Sequence, residues 1–163
     1  MAFRRNTARV LPVDPEGRVL LLHGWDPRRP LERFWFTIGG AAEHGEELRA
    51  AGVREMREEV GITLDEDLLG EPIHFASTEF SWAGMHFVQD QTFYAVALAS
   101  DAPVSFDGME WLERATVDKH AWLTPAELEA QELGRTDPLL PDVMRLAVAA
   151  VRSGAADLNA PLT

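Results

Sequence analysis

The segment GGAAEHGEELRAAGVREMREEVGI, from Gly39 to Ile62, constrains this chain more than any other. Glu46 to Val60 has the length and composition of a helix, and Gly61 is placed to stop it. At about 100° per residue, Glu55 and Glu59 fall within about 20° of Leu48 on either side, and Glu58 within about 80°. Met56, Val60 and Val53 make the neighbouring apolar stripe. The helix must therefore bury one face while holding three carboxylates at its margin. Glu55 and Glu59 are a like-charge i,i+4 pair, unfavourable by roughly 0.2–0.5 kcal/mol even when exposed. Arg54 and Glu58, an i,i+4 pair of opposite charge, offset part of this. A divalent cation between the carboxylates would remove the repulsion, and hard oxygen ligands suit Mg²⁺ or Mn²⁺. The alternative is a solvated acidic face.

Strand patterns flank this helix. Arg4 to Val13 alternates as a strand, Asp14–Gly17 (DPEG) is a turn, and Arg18 to Trp25 is a second strand, together a hairpin. Asp26 to Arg33 is a loop, and Phe34 to Gly40 a short buried strand ending in paired glycines. Ile73–Trp82 and Phe87–Leu98 read as strands around a turn at Ala83–His86. Val117–Leu123 is a last strand, and Glu113 lies in the loop before it. Thr124 caps a helix with Pro125 at its first position and Glu127 closing a capping box. A final helix is expected from about Pro141 to Arg152. The fold class is α/β in the α+β sense, a mixed sheet with helices packed on it. One domain is expected over residues 1–155, with a flexible polar tail over 156–163.

The charge balance excludes one class of partner. With 15 Lys+Arg against 27 Asp+Glu the net charge is −12, so no basic stripe is available for a nucleic-acid polymer. A small anionic ligand is still compatible if cations stand between it and the carboxylates. No apolar run is long enough to span a membrane. The first apolar run, about four residues before Asp14, is too short for a secretory signal. Cysteine is absent, which makes the cytoplasm the expected location.

The acidic segment also resembles a family signature. Gly40, Glu46, Arg54-Glu55, Met56, Glu58-Glu59, Gly61 and Ile62 stand at the spacing of the Nudix box of Nudix (MutT-like) hydrolases, with every specified position filled. Trp35–Gly40 (WFTIGG) and His120–Leu128 (HAWLTPAEL) are similar to the family's flanking segments, although Ile38 stands where proline is commoner. The resemblance implies a Nudix-like mixed sheet sandwiched between helices. It implies Mg²⁺- or Mn²⁺-dependent hydrolysis of a diphosphate linked to another moiety, typically a nucleoside. It casts Glu55 and Glu59 as metal ligands and Glu58 as a third ligand or the base. A backbone carbonyl at Gly39 or Gly40 would complete the set, and Arg54 and Glu46 would orient the acids. A further glutamate often comes from later in the chain. Glu79, Glu110 and Glu113 are the candidates, with Glu113 preferred.

Outside the box, Arg28, Arg29 and Arg33 precede the glycine pair and are candidates for phosphate contact. Trp35, Phe80 and Trp82 are candidates for stacking on a base, and Gln89 and Gln91 share one face of their strand as polar pocket residues. The partner is a small nucleotide or other diphosphate, and monomer and homodimer both stay open. A nucleotide-sensing Nudix-fold module without catalysis is the competing function. Such a module would be expected to lose box glutamates, and here all are kept.

Overall fold

Alternation along the first two strands sets the layers. In the computed structural model, which describes residues 2–132 and 134–159, β1 spans Ala2–Val13 and β2 spans Val19–Trp25. Ala8, Val10, Leu20 and Leu22 face one core with Ala51, Met56 and Val60 of α1 (Leu48–Val60). Leu11, Val13, Val19 and Leu21 face the other, with Val143, Met144 and Ala147 of α4 (Leu140–Asn159). Leu20, Leu21 and Leu22 are wholly buried, each worth about 1.5–3 kcal/mol of transfer. The mixed sheet thus lies between α1 and α4, the expected α+β arrangement.

The expected hairpin is much reduced. β1 and β2 pair only at Val13↔Val19, then diverge. β1 runs parallel to β6 (Met85–Ala97) along its whole length, and β6 carries the edge strand β5 (His74–Trp82). β2 instead pairs with β3 (Arg33–Phe36) and β7 (Val117–Leu123). This divergence also splits the strand expected from Phe34 to Gly40. Its first part joins β2, while β4 (Ile38–Ala41) crosses to β1. The open wedge between the two sets of strands is the cleft described below.

Other boundaries differ for local reasons. α1 begins at Leu48 rather than Glu46, because the Glu46 amide donates to the Glu43 carbonyl in a turn. The β5–β6 turn is only Ala83-Gly84, both left-handed (φ 52° and 80°), as a two-residue hairpin requires. Glu113 is not in a loop but on a short helix, α2 (Trp111–Thr116). The Thr124 capping box forms as expected at α3 (Pro125–Glu129). α4 continues past the expected end at Arg152 to Asn159. Residues 160–163 of the expected tail lie outside the described residues. Among the described residues, no helix is long and apolar enough to cross a membrane.

One close approach holds the wedge. A Cβ on Gly24 would sit 2.2 Å from the Thr116 carbonyl at the end of α2, where the β2–β7 register shifts. Gly24→Ala is expected to destabilise the protein by about 1–3 kcal/mol in urea unfolding. A neutral result would mean that α2 does not press on β2.

Candidate active site

Arg54 organises the acids of α1. Its Nε and Nη2 donate to Glu46 Oε2 and Oε1, each at 3.0 Å, a two-toothed ion pair. Nη2 also donates to the Ala41 carbonyl (3.0 Å). Nη1 bridges Glu55 Oε1 (2.9 Å) and Glu58 Oε2 (3.1 Å). The Glu46 hydrogen bonds push the Arg54 pKa up, and reciprocally hold the Glu46 carboxyl below its ordinary value.

Glu59, one turn beyond Glu55, is buried and accepts from the Gly39 amide (2.9 Å). Burial first, then the charge of Glu55, push its carboxyl well above the ordinary range. Gly39 can offer that amide because its φ of 147° brings the backbone against Ala8. Gly40 leaves room for Glu55: a Cβ there would lie 2.5 Å from Glu55 Oε1. Across the cleft Glu113 is half-buried, and burial together with Glu55 pushes its pKa up to about 7.

The glutamates and Gly40 fit a divalent cation in their chemistry. All the donors are hard oxygens, two of the carboxylates are buried side by side, and Gly40 keeps a side chain out of the space beside Glu55. Among the described residues no ready-made cluster of three acidic or imidazole groups is present. Arg54 Nη1 stands between Glu55 and Glu58, and Glu59 is turned to the Gly39 amide.

From Glu59 a cleft of about 710 Å³ opens along the sheet. Gln89, Gln91, Phe80 and Glu113 line it, as do Glu79, Glu110 and Trp82. Trp35 contributes to the wall but is chiefly core, with its indole N–H donating to Gln131 Oε1 (3.0 Å). Arg28 and Arg33 are not on the wall. Arg28 lies against Gly84 of the β5–β6 turn, and Arg33 stacks 3.6 Å over Trp25 and pairs with Asp118. The cleft's cations near the glutamates are instead Arg5 and Arg9 of β1, which were not singled out in the sequence. Their signal was Arg-x-Thr-x-Arg, residues 5, 7 and 9, on one face of a strand.

With this geometry in place, comparison with known proteins is informative. A family model described as the NUDIX domain matches residues 3–143, and the chain belongs to that family. It is a Nudix hydrolase, and family and fold support pyrophosphohydrolase activity in general terms. No curated protein sequence matches significantly. Among solved structures, the MutT protein of Methanosarcina mazei Go1 aligns with a TM-score of 0.62 at 17% identity, over 88% of this chain and 92% of that one. The E. coli dihydroneopterin triphosphate pyrophosphohydrolase aligns with a TM-score of 0.60 at 20% identity, over 92% and 97%. A C. elegans Ap4A hydrolase aligns with a TM-score of 0.55 at 18% identity, over 90% and 96%. At these identities the likenesses show the fold.

Two outcomes follow from the site. Arg54→Lys keeps the charge but loses the fork, and should lower activity about 10–100-fold with little change in thermal stability. Undiminished activity would contradict the orienting role. In chelator, the folded protein holds protons on Glu59 and Glu113 that the unfolded chain releases, so stability should fall as pH rises from 4.5 towards about 7. Glu113→Gln should flatten that part of a melting-temperature profile. An unchanged slope would mean that Glu113 does not titrate there.

Proposed function

We propose that this protein is a Mg²⁺- or Mn²⁺-dependent hydrolase, acting in the cytoplasm on a nucleoside diphosphate linked to another moiety. The observation that carries this reading is the burial of Glu55 and Glu59 side by side, with Glu59 at the head of a cleft lined by Arg5, Arg9 and aromatic side chains. Two adjacent buried carboxylates destabilise the empty fold, which suits a site meant to be filled. Glu55, Glu58, Glu59 and the Gly40 carbonyl would hold the cation. When bound, it would supply charge neutralisation on the diphosphate and an acidified water.

The protein's own residues do the rest. Arg54 fixes the direction of Glu55 and Glu58 through Nη1, and Glu46 fixes Arg54. Glu113, with a pKa of about 7 before any ligand is present, is matched to accept a proton from the attacking water at neutral pH. Water adds to phosphorus, the anhydride oxygen leaves with the bonding pair, and the proton passes to the Glu113 carboxylate. Arg9 stands beside the Gly39 carbonyl and balances charge at that end of the cleft.

The test is turnover of a panel of nucleoside di- and triphosphates, nucleoside diphosphate sugars and dinucleoside polyphosphates with Mg²⁺. Glu59→Gln should lower the rate about 10²-fold or more, and chelator should abolish it. Mg²⁺ should raise the melting temperature at pH 7.5 in the native protein and much less in Glu59→Gln. Tight nucleotide binding with no turnover on the whole panel would instead identify a sensing module.

A further inference from the structure

We propose that Arg5 receives the phosphate tail of the substrate, and that Gln89 is a positioning residue acting through Arg5. The preferred substrates are then nucleotides with at least one further phosphate beyond the scissile anhydride, rather than nucleoside diphosphates capped by a neutral sugar. This inference rests on the hydrolase function proposed above.

Arg5 of β1 lies opposite Gln89 of β6, and Thr7 opposite Gln91. Arginine has donors only, so each amide must turn its oxygen to the guanidinium it meets. Gln89 Oε1 accepts from Arg5 Nε at 3.2 Å. Gln91 Oε1 accepts from Arg9 Nε at 3.1 Å and from Gln89 Nε2 at 3.2 Å. Gln91 Nε2 donates to Thr78 Oγ1 at 3.3 Å. Both glutamines are buried. The oxygen and one N–H of each amide are committed to this rail. What the rail controls is the orientation of the two guanidinium groups.

The two arginines differ in what remains open. Arg9 Nη1 donates to the Thr37 and Gly39 carbonyls at 3.4 and 3.2 Å, so Arg9 belongs to the frame of the glutamate site. Arg5 has no hydrogen-bond partner except Gln89 and no ion-pair partner among the described residues. Its Cζ lies 4.6 Å from the Phe87 ring centre and 5.7 Å from that of Phe80. Those two rings are stacked 5.2 Å apart. The guanidinium is therefore fixed at Nε and supported by an aromatic surface, with both Nη groups available to the cleft it lines. A half-buried cation without a carboxylate partner is conspicuous in a chain of net charge −12. A paired Nη edge held in one plane matches two oxygens of a phosphate, and a neutral cap offers it no such pair.

Calorimetry in Mg²⁺ with a nucleoside triphosphate analogue, methylene groups replacing its anhydride oxygens, tests this against the matching monophosphate. Arg5→Met should weaken the analogue about tenfold and leave the monophosphate unchanged. Arg5→Lys should recover only part of the loss. Gln89→Met should weaken the analogue severalfold, and the double variant should be no weaker than Arg5→Met alone. Circular dichroism and melting of each variant establish that it folds, and Arg5→Lys carries the test if Arg5→Met does not. Equal losses for both ligands, no loss in either Arg5 variant, or additive losses in the double variant would overturn the proposal. The analogue needs no turnover. Arg5-dependent binding in a protein that hydrolyses nothing would remove the proposed function and the substrate preference with it, and leave Arg5 as a phosphate-tail contact of a bound nucleotide. A competent hydrolase without Arg5 dependence would do the reverse.

Discussion

A guanidinium has five N–H donors, and Arg54 uses all of them. Glu46 takes two, the Ala41 carbonyl one, and Glu55 and Glu58 share the remaining nitrogen. Through this one side chain the end of β4, the entry to α1 and the acid face of α1 are tied to a single point. Without it, three glutamates on one margin of the helix would repel one another and splay. With it, Glu55 and Glu58 are directed while Glu59 is left to the Gly39 amide. The geometry of the site is thus a property of a hydrogen-bond network rather than of the helix alone.

A second network starts at Gly39. The Gly39 amide donates to Glu59, and its carbonyl accepts from Arg9, which Gln91 holds in turn. A continuous polar path therefore runs from the acidic helix through the β3–β4 break to the buried glutamines of β6. The break exists because β1 and β2 part after a single paired position. The same divergence that opens the cleft places a positive-φ glycine where Glu59 and Arg9 both need its backbone.

Much of this was legible in the sequence, for identifiable reasons. Strands and helices with strong periodicity were readable because their residues answer to a local pattern. Leu20, Leu21 and Leu22 sit at the centre of a strand because both its faces are covered. The acidic face of α1 was readable because helix geometry alone brings Glu55, Glu58 and Glu59 together. Partner choice was not readable. Parallel pairing of β1 with β6 joins residues far apart in the chain, and nothing local in either strand announces it. Arg28 and Arg33 were favoured for being close to the glycine pair along the chain, yet the loop turns them to Gly84 and Trp25. Arg5 and Arg9 are polar alternates of a strand pattern, and only their hydrogen bonds to Gln89 and Gln91 of the distant β6 mark them as cleft residues.

The edge hairpin β5–β6 has a consequence for how such a protein changes. It supplies Phe80, Phe87, Gln89 and Gln91 to the cleft, and it joins the sheet through one seam, β6 against β1. Glu55, Glu58 and Glu59 stand on a different element, α1. A substitution in the hairpin can therefore reshape the cleft and leave the acidic face of α1 as it is, and a change in α1 can remove those acids and leave the cleft wall in place. The wall of the cleft and its acids belong to separate parts of this chain, and one can drift while the other stays put.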